Sequence, residues 1–358
     1  MSNLLKSISA PALVTILLSA CTSPQQSPNN KQRLERFTRP AVVTVVDGCQ
    51  GSYIYSEGSN IFAPGILYEL GVGSGYFVNS NGYIATNAHV TNYANLGSQG
   101  EGKCKDELFK QFIGKLANAT NKKPESILSN KPQLDQIKKK IELEKESFAM
   151  IRWIIMPNKS KQDPLTFQVT KAGDPKTRDV SILKVEGIEN APVLILGDSD
   201  EVDNTDSILV FGYPNDSFIR NVISLESAFK PSVTLGSVSN KLALVNNAPI
   251  LQISASVAPG NSGGPVVNDN GDVIGMVTFR KADSVGSGIS NAIPAKTIKD
   301  VLSEAGVKNE QGPTDKLYRK GLDYYWQGNY TDATSQFKRV QGLFRNHSEV
   351  EELSLIHI

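Results

Sequence analysis

The residues Val257-Ala-Pro-Gly-Asn-Ser-Gly-Gly-Pro265 place one serine, Ser262, in a glycine-dense turn between stretches rich in strand-forming residues. A serine hydroxyl is a weak nucleophile at neutral pH, so a catalytic serine needs a neighbouring base and N–H donors directed at the oxyanion. Gly260 and Gly263 tolerate backbone conformations that other residues avoid, which lets the N–H groups of Gly260 and Ser262 converge. The turn predicts either a nucleophile with its oxyanion hole or a tight β-turn with an idle serine.

A single histidine is placed in the sequence to act as the base for Ser262. The chain has three histidines, and His347 and His357 lie in its last dozen residues, beyond the region typical of β-structure. His89 instead follows two predicted strands joined by an Asn81-Gly82 hairpin turn. A lone histidine is more often structural, but this position makes His89 the predicted general base.

A carboxylate is needed to hold the imidazole tautomer and to stabilise the imidazolium. Asp179 stands at the head of an apolar strand-like run, Asp179-Val-Ser-Ile-Leu-Lys184. Taken alone it is a strand-capping aspartate. In the chain order His89, Asp179, Ser262 it becomes the expected third member of a catalytic triad.

The three segments together resemble the three signatures of trypsin-like serine proteases, most closely those of the bacterial HtrA/Deg type. They are Thr86-Asn-Ala-His89, Asp179-Val-Ser-Ile-Leu-Lys184 and Gly260-Asn-Ser-Gly-Gly-Pro265. The resemblance covers residues 38–305 and implies a mostly β domain of two six-stranded barrels. The first barrel would carry His89 and Asp179, and the second would carry Ser262.

The resemblance also implies an activity, that of a serine endopeptidase cleaving exported or misfolded proteins through an acyl-enzyme. No metal or organic cofactor is implied. In trypsins that cut after Lys or Arg, an aspartate lies six residues before the nucleophile, and Ser256 occupies that position here. A basic P1 side chain would be buried there without a partner, which is costly, so we expect a small or medium apolar P1 residue.

The amino terminus predicts export. An apolar run from Ile8 to Leu18, too short to span a bilayer, is followed by Leu18-Ser-Ala-Cys21. This resembles a bacterial lipoprotein signal, with 1–20 as the signal peptide and Cys21 as the lipidated mature terminus; the alternative is an ordinary secretory signal. We expect a lipid-anchored protein at the cell envelope, on the periplasmic face of either membrane or at the cell surface. Residues 21–37 are predicted to be a polar linker.

Charge and cysteine content add two expectations. The net charge is +1, which does not indicate nucleic acid as a partner. Because the compartment is oxidising, Cys49 and Cys104 are candidates for a disulfide, the alternative being two free thiols.

A helical insertion of about residues 92–161 interrupts the first barrel. Gln133 to Glu146 lacks strand signals, and Leu134, Ile137 and Ile141 fall roughly on one helical face. We interpret the insertion as a solvated surface element; a lid or regulatory loop over the cleft is the functional alternative.

The carboxy-terminal part predicts helices. Pro294 suits the first turn of a helix that closes the protease region, and Gly306 to Pro313 is a linker. No PDZ-like β-rich segment follows, although HtrA-type proteases usually continue into one. Residues 313–346 match the spacing of one tetratricopeptide (TPR) helix pair at Gly321, Tyr324, Gly328, Tyr330, Ala333 and Phe337.

The TPR-like segment predicts protein partners, the alternative being a generic helical hairpin packed on the protease. A single repeat cannot bury its own face. Residues 353–358 resemble the translation of a sequencing-library adaptor, so the natural chain is expected to continue.

The sequence leaves open two alternatives to an active serine endopeptidase. One is a catalytically inactive protease-like scaffold that binds proteins through the TPR-like segment. The other is an enzyme that stays latent until the insertion or the repeats are engaged. All three triad positions are filled, which favours catalysis.

Overall fold

A computed structural model describes residues 28–157, 164–214, 230–278 and 290–355. The predicted signal peptide, the lipidation site Cys21 and residues 356–358 lie outside the described residues. Within these ranges, no helix has the length and apolar character required to cross a bilayer.

The first sheet is antiparallel and is built from nine described strands. They are β1 (Val42–Glu57), β2 (Asn60–Phe62), β3 (Ile66–Asn79), β4 (Tyr83–Thr86), β5 (Ile141–Leu143), β6 (Ala149–Ile155), β7 (Leu165–Thr166), β8 (Gln168–Ala172) and β9 (Ser181–Lys184). The main path runs β7-β6-β1-β3-β4-β9-β8, and β2 and β5 pair with the outer part of β1.

The second sheet is a closed six-stranded barrel in the order β10-β11-β12-β15-β14-β13. Its strands are β10 (Ser207–Gly212), β11 (Ser232–Ala243), β12 (Pro249–Ile253), β13 (Pro265–Asn268), β14 (Val273–Thr278) and β15 (Ser290–Pro294). The predicted mostly β trypsin-like fold is therefore confirmed. The first sheet differs from a six-stranded barrel because β1 and β3 extend outward and recruit further strands.

The two faces of β3 pack against different cores, as the two-residue period of a strand requires. Phe77 packs with Val45 of β1 and Ile84 of β4 inside the first sheet. Tyr76 packs into a cluster shared with the second barrel, which includes Phe211 of β10. The face of β3 that carries Tyr76 thus lies at the junction of the two sheets.

The insertion is α-helical only as far as Lys140. It contains α2 (Asn92–Asn95), α3 (Ser98–Ala119), α4 (Pro124–Leu128) and α5 (Lys131–Lys140). The helix expected from Gln133 to Glu146 stops at Lys140, and Ile141 begins β5, opposite Tyr55 of β1. Pairing with the extended part of β1 outweighs the local helical pattern.

The insertion has its own hydrophobic core against β1 and β3. Leu134, Ile137 and Ile141 all pack in this cluster, together with Tyr53 and Phe112. Cys49 of β1 and Cys104 of α3 are joined by a disulfide with a Cα–Cα distance of 6.2 Å. The insertion is therefore attached to the sheet by packing and by a covalent bond.

Helix α1 (Asn30–Thr38) occupies part of the segment predicted to be a polar linker. A capping box between Asn29 and Gln32 begins the helix, since each side chain accepts from the other's backbone N–H. Leu34 is buried in the core shared by the two sheets, and Phe37 packs edge-on against Trp326 at 5.7 Å. The linker prediction fails from Asn30 onward because these two apolar side chains find partners distant in sequence.

The carboxy-terminal part is helical as predicted. It contains α6 (Ala295–Glu304), α7 (Pro313–Trp326), α8 (Tyr330–Leu343) and α9 (Val350–Leu355). Helices α7 and α8 form the hairpin expected for residues 313–346. A Cβ on Gly321 would lie 2.5 Å from the Phe337 ring, so glycine permits their close approach. Leu353, the first residue of the suspected adaptor segment, is buried in the same cluster.

Candidate active site

His89 and Asp179 are joined by two hydrogen bonds. The ring Nδ1 of His89 lies 2.8 Å from Asp179 Oδ2, and the backbone N–H of His89 donates to Asp179 Oδ1 at 3.0 Å. Asp179 is buried, whereas 37% of the His89 side chain is exposed. With Nδ1–H donated to the carboxylate, Nε2 is left as the acceptor, which is the tautomer that a general base requires.

Two further side chains fix the aspartate. Thr278, the last residue of β14, donates its hydroxyl to Asp179 Oδ2 at 2.8 Å. Asn87 donates its side-chain amide to the backbone carbonyl of Asp179 at 2.8 Å. Because Thr278 belongs to the second barrel, the aspartate is held from both sheets.

Ser262 lies in the loop between β12 and β13 and is 5% exposed. The loop turns at Gly260 and Gly263, whose φ angles of 96° and 87° favour glycine. Gly263 donates its N–H to Val277 of β14 at 2.9 Å, and Gly264 donates to Asn261 at 2.9 Å. The glycines of the motif therefore shape the turn as the sequence predicted.

Gly73 of β3 brings the serine loop beside the histidine segment. A Cβ on Gly73 would lie 2.6 Å from Val90 and 3.0 Å from the Ser262 carbonyl oxygen, so only glycine fits between them. Gly73 thus lies between Val90, the residue that follows His89, and the backbone of Ser262. The hydrogen bonds of the described residues include none between the Ser262 hydroxyl and the His89 ring.

The predicted oxyanion donors have no acceptor within the part of the chain that the structure describes. Neither Gly260 N–H nor Ser262 N–H donates to an acceptor among the residues that the structure describes. The neighbouring N–H groups of Asn261 and Gly263 are both bonded within the fold, to Ala258 and Val277. Among the four N–H groups of residues 260–263, the two expected to point at the oxyanion are therefore the two without an acceptor in the described residues.

Helix α2, which begins three residues after His89, is held by a buried carboxylate. Asp47 of β1 accepts the backbone N–H groups of Tyr93 and Ala94 at 2.7 and 3.0 Å. Burial disfavours the charged form and raises the pKa of Asp47 to about 6, although these two hydrogen bonds act in the opposite direction. The His89 segment is thereby anchored to β1.

Several residues around the site were not foreseen from the sequence. Thr278 supports Asp179 from β14, and Thr86 donates its hydroxyl to the Ser74 carbonyl at 2.7 Å. Thr86 is the first residue of the segment Thr86-Asn-Ala-His89, and this position was its only sign in the sequence of a role near the site. Ser256, at the position expected to set P1 specificity, is exposed. No group of acidic, histidine or cysteine side chains suited to a metal occurs in the described residues.

Comparison with known proteins places this geometry in a family. The model of the trypsin-like peptidase domain matches residues 73–276, more than half of the chain. A probable periplasmic serine endoprotease DegP-like of Pseudomonas putida is 37% identical over 135 residues, covering 37% of this chain and 25% of that protein. The mitochondrial serine protease HTRA2 of Bos taurus is 34% identical over 144 residues, covering 39% of this chain and 29% of that protein.

A solved HtrA-type protease, AlgW with a tripeptide, matches with a TM-score of 0.44 and 20% identity, covering 77% of this chain and 63% of that one. The match spans about a quarter of the length of the DegP-like relatives. With the family model matched over more than half of its length, the chain belongs to the trypsin-like peptidase domain family.

Proposed function

We propose that the protein is a serine endopeptidase that cleaves through an acyl-enzyme. The observation that carries the proposal is the doubly hydrogen-bonded His89–Asp179 pair beside a serine loop whose two predicted oxyanion donors are unbonded in the described residues. The relatives named as serine endoproteases support the same activity.

Each residue has a defined part in the proposed reaction. Ser262 Oγ attacks the scissile carbonyl while His89 Nε2 takes its proton, and His89 then returns that proton to the leaving amine. Asp179 keeps the imidazole oriented and stabilises the imidazolium. The N–H groups of Gly260 and Ser262 bind the oxyanion, each worth about 3 kcal/mol where such donors have been removed from other enzymes. Water then hydrolyses the ester by the same sequence of proton transfers.

The missing Ser262–His89 hydrogen bond is compatible with this mechanism. Catalytic hydrogen bonds are often long or poorly aligned without substrate and tighten in the Michaelis complex. The same feature would also be present in a latent enzyme or an inactive scaffold, so a chemical test of the nucleophile is needed.

The test is labelling with a fluorophosphonate, which reacts with an activated serine. The wild type should be labelled, Ser262→Ala should not, and Ser254→Ala, which removes an exposed serine of the same barrel, should be labelled like the wild type. Failure of the wild type to react, with the Ser262→Ala and wild-type proteins both folded, would reject a competent active site in the free protein and leave the latent enzyme and the inactive scaffold. Equal labelling of Ser262→Ala would reject Ser262 as the nucleophile.

We further propose export and lipid anchoring at Cys21, and exported or misfolded proteins as substrates. The support is the amino-terminal sequence and the relatives named as periplasmic. Cys21→Ser should move the protein from the membrane fraction to the soluble fraction. Unchanged membrane association would reject lipidation at that residue.

The α7–α8 hairpin is proposed to be a TPR-like unit that binds protein partners. Its support is the spacing of small and aromatic residues and the contact between Gly321 and Phe337. Replacement of the segment 313–346 should abolish the binding of a partner. If the altered protein keeps all its partners, the segment is a generic helical hairpin packed on the protease domain.

A further inference from the structure

Ser74 connects the first sheet to the nucleophile loop. It lies on the face of β3 that also carries Tyr76, and it is completely buried. Its backbone N–H donates to the Ser262 carbonyl at 2.7 Å, and its hydroxyl donates to the Gly260 carbonyl at 2.8 Å. One residue of β3 therefore holds the carbonyl groups at both ends of the Gly260–Ser262 segment.

The orientation of the Ser74 hydroxyl is determined by its surroundings. The Tyr213 backbone N–H donates to the same oxygen at 2.9 Å. A hydroxyl has only one hydrogen, and the oxygen is already an acceptor from Tyr213, so that hydrogen is directed at the Gly260 carbonyl. The Ser74 backbone is fixed in turn, because its own carbonyl accepts from Thr86 at 2.7 Å.

The second barrel leaves room for these contacts. A Cβ on Gly263 would collide with the Ser74 carbonyl, and a Cβ on Gly212 would lie 3.1 Å from the Ser74 hydroxyl. Larger residues at either position would separate β3 from the loop. The close approach of Ser74 to the loop therefore depends on glycine at positions 212 and 263.

Gly260 needs such a restraint. At a φ of 96° it adopts one of several conformations open to glycine, and the direction of its N–H depends on which of them it adopts. The Asn261–Ser262 peptide, which carries the second donor, lies between the two carbonyls that Ser74 holds. An oxyanion site stabilises the transition state only when its donors are oriented in advance.

We propose that Ser74 is a positioning residue for the oxyanion donors: its hydroxyl holds Gly260, and its backbone N–H holds Ser262, in the arrangement that binds the developing negative charge. The role rests on the proposed peptidase function. Ser74 does not touch the substrate and acts only through the loop.

The test compares Ser74→Ala with Thr44→Val. Thr44 lies directly opposite Ser74 on β1, is equally buried, and its hydroxyl has no hydrogen-bond partner among the described residues. Both variants remove one buried hydroxyl at the same level of the sheet, but only Ser74→Ala releases the Gly260 carbonyl. Thr44→Val therefore controls for a general effect on packing.

We expect Ser74→Ala to lower kcat by about tenfold to a hundredfold, somewhat less than loss of an oxyanion donor itself, with KM within about twofold of the wild type. The affinity for a peptide boronic acid, which forms a tetrahedral adduct with the serine, should fall by a similar factor. Thr44→Val should change neither. Equal kcat in the two variants, or a rise in KM with kcat unchanged, would overturn the role of Ser74.

Amide hydrogen exchange separates this inference from the proposed function. Ser74→Ala should speed exchange in a peptide covering residues 258–264 by at least about tenfold, and Thr44→Val should not. This readout needs no activity, so unchanged exchange overturns the role of Ser74 even if the wild type proves inactive. Should Ser74→Ala fail to fold, Ser74→Cys keeps a weak donor in similar space and should show the same changes at smaller amplitude.

Discussion

At the scale of single residues, the site depends on how a buried carboxylate is satisfied. The Asp179 carboxylate accepts three hydrogen bonds, two from His89 and one from Thr278, and the residue is 2% exposed. Burying an ionised carboxylate is costly unless such partners replace its water. The orientation of His89 is therefore determined in part by β14, whose Thr278 lies 99 residues after Asp179.

Thr278→Val should slow catalysis without unfolding the protein. The substitution keeps the shape of the side chain and removes the hydroxyl that donates to Asp179 Oδ2. A hydrogen bond to a charged group contributes about 1.5–3 kcal/mol, so kcat should fall by roughly tenfold to a hundredfold. Steady-state kinetics with a peptide substrate would show this, with Thr297→Val in α6 as a control of unchanged rate. A wild-type rate in Thr278→Val would show that the Thr278 hydroxyl is not needed to orient the aspartate.

Asp47 should make stability depend on pH between about 4 and 6. Burial raises its pKa from 3.8 to about 6, so in this window the folded protein binds a proton more tightly than the unfolded chain does. Its contribution is therefore present at low pH and lost as pH rises through 6, by about 3 kcal/mol in total. Asp47→Asn cannot ionise and should lack this dependence.

Urea unfolding of the wild type and Asp47→Asn at pH 4 and pH 7 measures the effect. The free energy of unfolding of the wild type should fall relative to that of the variant as the pH rises. A difference that stays constant across the two pH values would show that Asp47 titrates near its ordinary pKa.

At the scale of elements, the insertion is an attached subdomain with its own core. Helix α3 packs Phe112 and Leu108 against the outer part of β1, and the Cys49–Cys104 disulfide lies in the same cluster. Asp47, two residues before Cys49, holds the helix that follows His89. The insertion and the His89 segment therefore share their attachment to β1.

Reduction of the disulfide should destabilise the protein. The bond joins residues 55 apart in sequence, and the chain-entropy model gives about 4 kcal/mol for a loop of this size. A reductant should lower the denaturation midpoint of the wild type and leave the Cys49→Ser, Cys104→Ser double variant unchanged. The same response in both proteins would show that the reductant acts elsewhere.

At the scale of the whole molecule, the predicted linker 306–313 is bound to the protease domain. Asn309 donates its side-chain amide to the carbonyls of Val78 and Leu194 at 2.7 and 2.9 Å, and it accepts from the Leu196 N–H at 2.8 Å. Asp315, at the start of α7, accepts the Val193 N–H at 3.0 Å. These contacts fix α7 to the segment between the two sheets. Helix α1 packs on α7 through the contact of Phe37 with Trp326.

Asn309→Ala should weaken this attachment. The substitution leaves two carbonyls and one N–H without their partner, at about 1–3 kcal/mol for each group that water cannot reach. We expect the free energy of unfolding to fall by about 3 kcal/mol and limited proteolysis within 306–313 to accelerate. Lys308→Ala, which changes an exposed neighbour, should do neither. Equal proteolysis of the two variants would show that α7 is held by packing alone.

Much of the candidate site could be predicted from the amino-acid sequence. The residue types and order of His89, Asp179 and Ser262, the glycine turn around Ser262 and the strand–turn–strand before His89 are all encoded in short stretches. Local patterns of this kind report backbone propensity and side-chain chemistry, which do not depend on distant partners. The helical character of the insertion and of residues 313–346 could be predicted for the same reason.

Other features were decided only by the tertiary structure. Residues 141–143 became a strand because β1 extends to pair with them, and α1 formed where Leu34 and Phe37 found apolar partners far along the chain. The support of Asp179 by Thr278 and of Gly260 by Ser74 joins residues separated by 99 and 186 positions. Such contacts depend on how two sheets pack, and no local pattern of hydrophobic or turn-forming residues records that packing.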